Sequence, residues 1–127
     1  MKYLPIGLLA VMFTAQTLVA QTKWVAPADQ RNVYNPLANN TRVLPEAKKL
    51  YATMCISCHG ADGKGDGEKG VSLNPKPADY TAKSVKKETD GSLYWKMSTG
   101  NGEMKPFGHK LSEEQRWSLV SYIRTFQ

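Results

Sequence analysis

One five-residue string does most to decide what this chain can become: Cys55-Ile56-Ser57-Cys58-His59. Cys-x-x-Cys-His is the attachment signature of c-type haem. Each thiol can add across one vinyl group of the porphyrin, and two intervening residues match the distance between the vinyls. His59 follows Cys58 directly because the covalent tether already fixes the plane that its imidazole must reach beneath the iron. The remainder of the chain must then pack around a large, flat, apolar body held on one short segment.

Other chemistries use the string less well. A structural zinc site needs four N or S ligands, and the chain owns only Cys55, Cys58, His59 and the distant His109. Cys58 and His59 are adjacent, which makes their joint tetrahedral binding of one ion awkward. A thioredoxin-like dithiol expects a βαβ context, and the sequence shows no such alternation. A disulfide between Cys55 and Cys58 would close a very small loop and stabilise little.

With 127 residues the chain makes one domain at most. Both cysteines sit in the motif, so none remains for a second crosslink or a lipid-modified terminus. Residues 1–20 read as a secretory signal, with Lys2 as the positive start, a mostly apolar run from Leu4 to Leu18, and Ala20 at the expected cleavage point. The run is short and interrupted for a membrane span, and an uncleaved anchor is the competing reading. Export to the periplasm suits a protein whose haem is attached outside the cytoplasmic membrane. The formal charge of +6 falls to +5 once Lys2 is lost with that segment. A basic exported haem protein has little occasion to meet nucleic acid; an acidic protein partner or an anionic membrane surface suits it better.

Residues 21–44 contain Pro27, Pro36 and four asparagines without helical period. They read as an extended arm, wrapped on the surface or partly disordered, that Trp24 and Tyr34 could pin to the domain. Residues 45–127 form the domain proper. Pro45 to Met54 reads as a first helix, with Ala47, Leu50, Tyr51 and Met54 on one apolar face. Gly60 to Gly70, with five glycines, reads as a tight loop. It lacks the strand and the Gly-Lys-Ser/Thr ending of a phosphate loop, and Asp62, Asp66 and Glu68 lack EF-hand spacing. Pro75 and Pro77 keep the next segment extended, and one of their carbonyls is the expected acceptor for the His59 N–H. Asp90 to Thr99 reads as a helix capped by Asp90 and stopped by Gly100. Leu111 to Phe126 reads as the closing helix, opened by a Ser112/Gln115 capping box and faced by Leu119, Val120, Ile123 and Phe126. No convincing strand appears, so the expected class is all-α.

Met97, Met104 and His109 are the candidates for a second iron ligand. Met104 lies in a glycine-bounded loop stiffened by Pro106, where a thioether is free to turn towards iron. Met97 has helical spacing with Leu93 and Tyr94 and suits core packing. His109 opens a polar helix start beside Lys110. Met104 is therefore favoured, and a thioether there would raise the reduction potential, whereas an open site would admit small ligands.

Together these segments resemble the class I c-type cytochromes, across roughly Pro45 to Gln127. The residues that carry the resemblance are Cys55 to Gly60, the loop Asp62 to Gly67, the stretch Asn74 to Tyr80, the helix ending at Gly100, Met104 to Phe107 and the last helix. The resemblance implies three to five helices around one covalent haem c, with thioethers at Cys55 and Cys58 and iron ligands at His59 and Met104. It also implies that the first and last helices cross. The expected function is electron transfer in a periplasmic respiratory chain, between a redox protein donor and acceptor, rather than catalysis. The alternative is a haem-bearing subunit of a larger membrane oxidoreductase complex; a haem sensor or peroxidase ranks last, since di-haem peroxidases need two attachment motifs. Lys64, Lys69, Lys76, Lys105 and Lys110 are placed to steer an acidic partner to the haem edge.

Overall fold

Pro45 starts a helix well because its missing N–H is not needed in the first turn and its φ is already helical. In the computed structural model, which describes residues 23–127, that helix is one of six. They are α1 (Ala28–Arg31), α2 (Leu44–Met54), α3 (Ile56–His59), α4 (Lys83–Lys86), α5 (Asp90–Thr99) and α6 (Glu113–Arg124). Three of them, α1, α3 and α4, are single turns. Among the described residues there is no strand, only an isolated bridge between Asn101 and Met104. The expected signal at 1–20 lies outside the described residues.

The core is the crossing of α2 and α6. Ala47 and Tyr51 on α2 are buried at 0% and 1% exposure, and Leu119, Val120 and Ile123 on α6 are at 3% or below. Each fully buried aliphatic side chain contributes roughly 1.5–3 kcal/mol, so this seam joins residues 44–54 to residues 113–124. Tyr51, Tyr122 and Phe126 pack as a triad with ring centroids 5.2–5.3 Å apart, a spacing favourable to tilted aromatic pairs. The Ser112/Gln115 capping box forms as the sequence predicts. The helix itself runs Glu113–Arg124, so Leu111 and Phe126 flank it instead of opening and closing it.

Two expectations are corrected. Thr89, not Asp90, caps α5: its Oγ1 accepts from the Ser92 N–H at 3.2 Å. Asp90 is freed for an ion pair with Arg124, at 2.7 Å. The arm is not uniformly extended; it folds into α1, a turn and a short 3-10 segment at Thr41–Val43. Trp24 does pack on the domain, 6.3 Å from the Trp95 ring, but Tyr34 is 72% exposed and pins nothing. Its neighbour Asn35 does so, at 1% exposure.

Candidate functional site

Helix α2 delivers its last turn into Cys55, whose N–H still bonds to the Tyr51 carbonyl at 2.9 Å. The single turn α3 follows, closed by the His59 N–H on the Cys55 carbonyl at 2.8 Å. Residues one turn apart share a helix face, so Cys55 and His59 lie one above the other with Cys58 beside them. Both cysteines are free thiols and half-buried.

A helix end leaves its last carbonyls without partners, and the glycine-rich loop supplies them. Lys69 N–H bonds to the Ser57 carbonyl at 2.8 Å, Gly67 N–H to Cys58 at 3.1 Å, and Gly65 N–H to His59 at 2.8 Å. Such close wrapping needs residues without side chains. A Cβ at Gly70 would overlap the Cys58 carbonyl, and one at Gly67 would overlap those of Ile56 and Ser57. The Gly60 carbonyl is held by the Tyr51 hydroxyl at 2.8 Å, which ties the motif's last turn to the α2–α6 seam.

His59 is 8% exposed. Its Nδ1 lies 3.2 Å from the Ala78 carbonyl oxygen. A carbonyl only accepts, so Nδ1 carries the proton and Nε2 keeps its lone pair. The acceptor is therefore neither Pro75 nor Pro77. The Pro77 carbonyl is turned towards Gly65, so closely that a Cβ there would overlap it, and the next carbonyl along reaches the imidazole. The Tyr80 ring stacks on that of His59, with centroids 4.7 Å apart and planes 13° from parallel. Its hydroxyl lies 3.3 Å from Nε2. Burial lowers the His59 pKa and keeps the ring neutral, with the Ala78 bond acting in the opposite direction. Burial, with the neighbouring Cys58, pushes the Cys55 thiol up to about 12.

Met104 lies half-buried against the apolar cluster that also contains Met97, Tyr80 and, at its edge, Cys55. A tight turn holds it, with reciprocal bonds to Asn101 at 2.9 and 3.0 Å. Met97 is 5% exposed and packs in the core as its spacing predicts. His109 is exposed. Among the described residues, no three His, Cys, Asp or Glu side chains are grouped to hold a metal ion. The donor set does fit a haem: two free thiols in one turn and a neutral imidazole whose second nitrogen is already anchored. Lys64, Lys69, Lys76, Lys105 and Lys110 are all exposed. Among the described residues, no helix is long and apolar enough to cross a membrane.

Asn35, Tyr51, Ala78 and Tyr80 are the supporting residues that sequence reasoning did not single out for these roles. Only Asn35 carried a local signal, since Asn-Pro favours turn initiation.

The family described as "Cytochrome C oxidase, cbb3-type, subunit III" matches residues 43–123. A chain of the reducing HAO-like protein complex Kustc0457/Kustc0458 of Kuenenia stuttgartiensis superposes with a TM-score of 0.55 at 34% identity. That match covers 64% of this chain and 41% of the other, so the likeness spans less than half of the neighbour. None of the curated proteins compared is a significant match.

Proposed function

Since the chain belongs to the cbb3-type subunit III family of c-type cytochrome domains, we propose that it is an exported electron carrier with one covalent haem c. Haem-based electron transfer is the activity of the family's domain.

Cys55 and Cys58 would hold the porphyrin as thioethers, and His59 would present Nε2 to the iron. The Ala78 carbonyl orients the imidazole and, by accepting from Nδ1, makes Nε2 more basic. Burial of His59 keeps bulk water from the ligand. Met104 would close the other side of the iron with a soft thioether, favouring the reduced state. A haem held by these residues would supply one-electron exchange between ferric and ferrous iron. The observation that carries the reading is the anchored Nδ1 of His59 in the same turn as two free thiols.

Residues 1–20 would direct export to the periplasm and be removed, residues 21–44 would form the arm, and 45–127 the haem domain. The exposed lysines around the loops would guide an acidic donor or acceptor, with transfer rates that fall as salt rises. A second reading, a fixed subunit of a larger oxidoreductase, has support of its own. The matched family bears the name of an oxidase subunit, and the structural neighbour comes from a protein complex.

The deciding experiment is purification of the mature protein from its native membranes and periplasm. The expected mass is that of the chain from Gln21 plus one haem, with the spectrum of a low-spin c-type centre. Replacing Met104 with alanine should abolish the near-infrared sulfur-to-ferric-iron band and admit exogenous ligands. A colourless protein with two alkylatable thiols would overturn the assignment. Stoichiometric co-purifying subunits would favour the fixed-subunit reading.

A further inference from the structure

We propose that the strap formed by residues 24–37 is a positioning element for the Met104 loop, acting through helix α5. The proposal rests on the reading of Met104 as an iron ligand. It assigns a role to a segment that lies before the family match, which begins at residue 43.

The strap grips α5 along its length. At the start of the helix, Thr89 Oγ1 donates to the Arg31 carbonyl at 2.7 Å. Gly91 meets the strap so closely that a Cβ would overlap the Gln30 carbonyl and stand 2.9 Å from that of Val33. Further along, Trp24 packs on Trp95 and lies under the Lys96 ammonium, 5.5 Å from the ring centroid. Between these grips, the Asn35 amide donates to Asp90 Oδ2 at 2.9 Å and to Ser121 Oγ at 3.1 Å. That one buried side chain joins strap, α5 and α6, and its own Oδ1 accepts from the Leu37 N–H at 2.9 Å.

The Met104 loop hangs from the other end of the same helix. Phe107 N–H bonds to the Met97 carbonyl at 3.0 Å, and Gly108 N–H to that of Ser98 at 3.1 Å. The Met104 carbonyl is packed onto Gly100, which has φ +64° and room for no Cβ. A ten-residue helix behaves as a rigid rod on this scale. Besides the strap, α5 is held by its buried Leu93 and Met97, by the Tyr94–Trp117 ring stack and by the Asp90–Arg124 ion pair, so the strap is one of two sets of contacts that fix its position. Loosening the strap leaves α5 to the other set and freer to shift, and the shift carries Met104 with it. The strap thus helps to set how often the thioether leaves the iron.

The test uses the haem-loaded full chain. Imidazole competes with Met104, and its apparent affinity scales with the fraction of molecules in which the thioether has let go. Asn35→Ala removes the buried junction, and Gly91→Ala wedges the strap away from α5. Both should keep the haem attached and tighten imidazole binding roughly tenfold, the scale expected when a buried hydrogen-bonded group is lost. The sulfur-to-iron band should disappear at a correspondingly lower imidazole concentration. Tyr34→Ser, on the exposed face of the strap, and Leu50→Ala, which weakens α2, should leave imidazole affinity unchanged. If the wild type has the band and both strap variants titrate like it, the strap proposal is wrong. A wild type without the band removes the Met104 reading, and this proposal with it. Should Asn35→Ala fail to accumulate, Gly91→Ala and the milder Ser121→Ala decide the matter in the same assay.

Discussion

The attachment segment (55–70) and the strap (24–37) are both short, both rich in turns, and held by opposite means. In the attachment segment the chain binds to itself nearby. The Ser57, Cys58 and His59 carbonyls are met by amides of residues 65–69, and the side chains of Cys55, Cys58 and His59 are left over for chemistry. In the strap a side chain does the holding across the molecule: Asn35 reaches Asp90 and Ser121, separated from it by 55 and 86 positions. Backbone wrapping leaves reactive groups free but demands glycine where chains touch. Side-chain bridging depends on partners that only the fold brings near, although the strap too presses its backbone on one glycine, Gly91. A site that must present two thiols and an imidazole together gains from the first design, and a segment that braces distant helices needs the second.

The contrast can be sharpened by substitution. The largest effect is expected at the proposed attachment: the double variant Cys55→Ser/Cys58→Ser should remove both tethers and leave a chain with no haem surviving denaturing electrophoresis, read by haem staining. Gly70→Ala comes next. Its Cβ would overlap the Cys58 carbonyl, so backbone must move, and a loss of about 3 kcal/mol by denaturant titration is expected. A smaller loss would mean that the loop is looser than its hydrogen bonds suggest. Asn35→Ala should cost about 2 kcal/mol, because it leaves buried partners unsatisfied while the haem stays attached. If it instead prevented attachment, the two regions would not be separable as argued. Tyr34→Ser should change stability by no more than about 0.5 kcal/mol, as its side chain is solvent-exposed.

The same contrast explains what could be read in advance. The α2 face of Ala47 and Tyr51, the closing helix with its capping box, the stop at Gly100 and the core placement of Met97 all follow from spacing within one element, and all appear in the structure. Where the acceptor for His59 had to be picked from a stiff stretch, the prolines pointed to the right segment and missed by one residue. Which carbonyl turns inward depends on how that segment lies against Gly65. Tyr34 is the aromatic of the pair, yet Asn35 is the buried one. Its amide can be buried only because Asp90 and Ser121 stand ready to accept.

By itself the sequence pointed to haem-based electron transfer and to the long helices α2, α5 and α6. Cys55, Cys58 and His59 fall within five residues, so the role proposed for them is legible from residue order alone, and helix faces repeat within a few positions of themselves. Tertiary structure alone decided that Ala78 orients His59, that Tyr51 holds Gly60, and that Asn35 locks the strap to α5 and α6. Those contacts join residues far apart in the chain, and whether a polar group there is satisfied or stranded is settled only when packing fixes its neighbours.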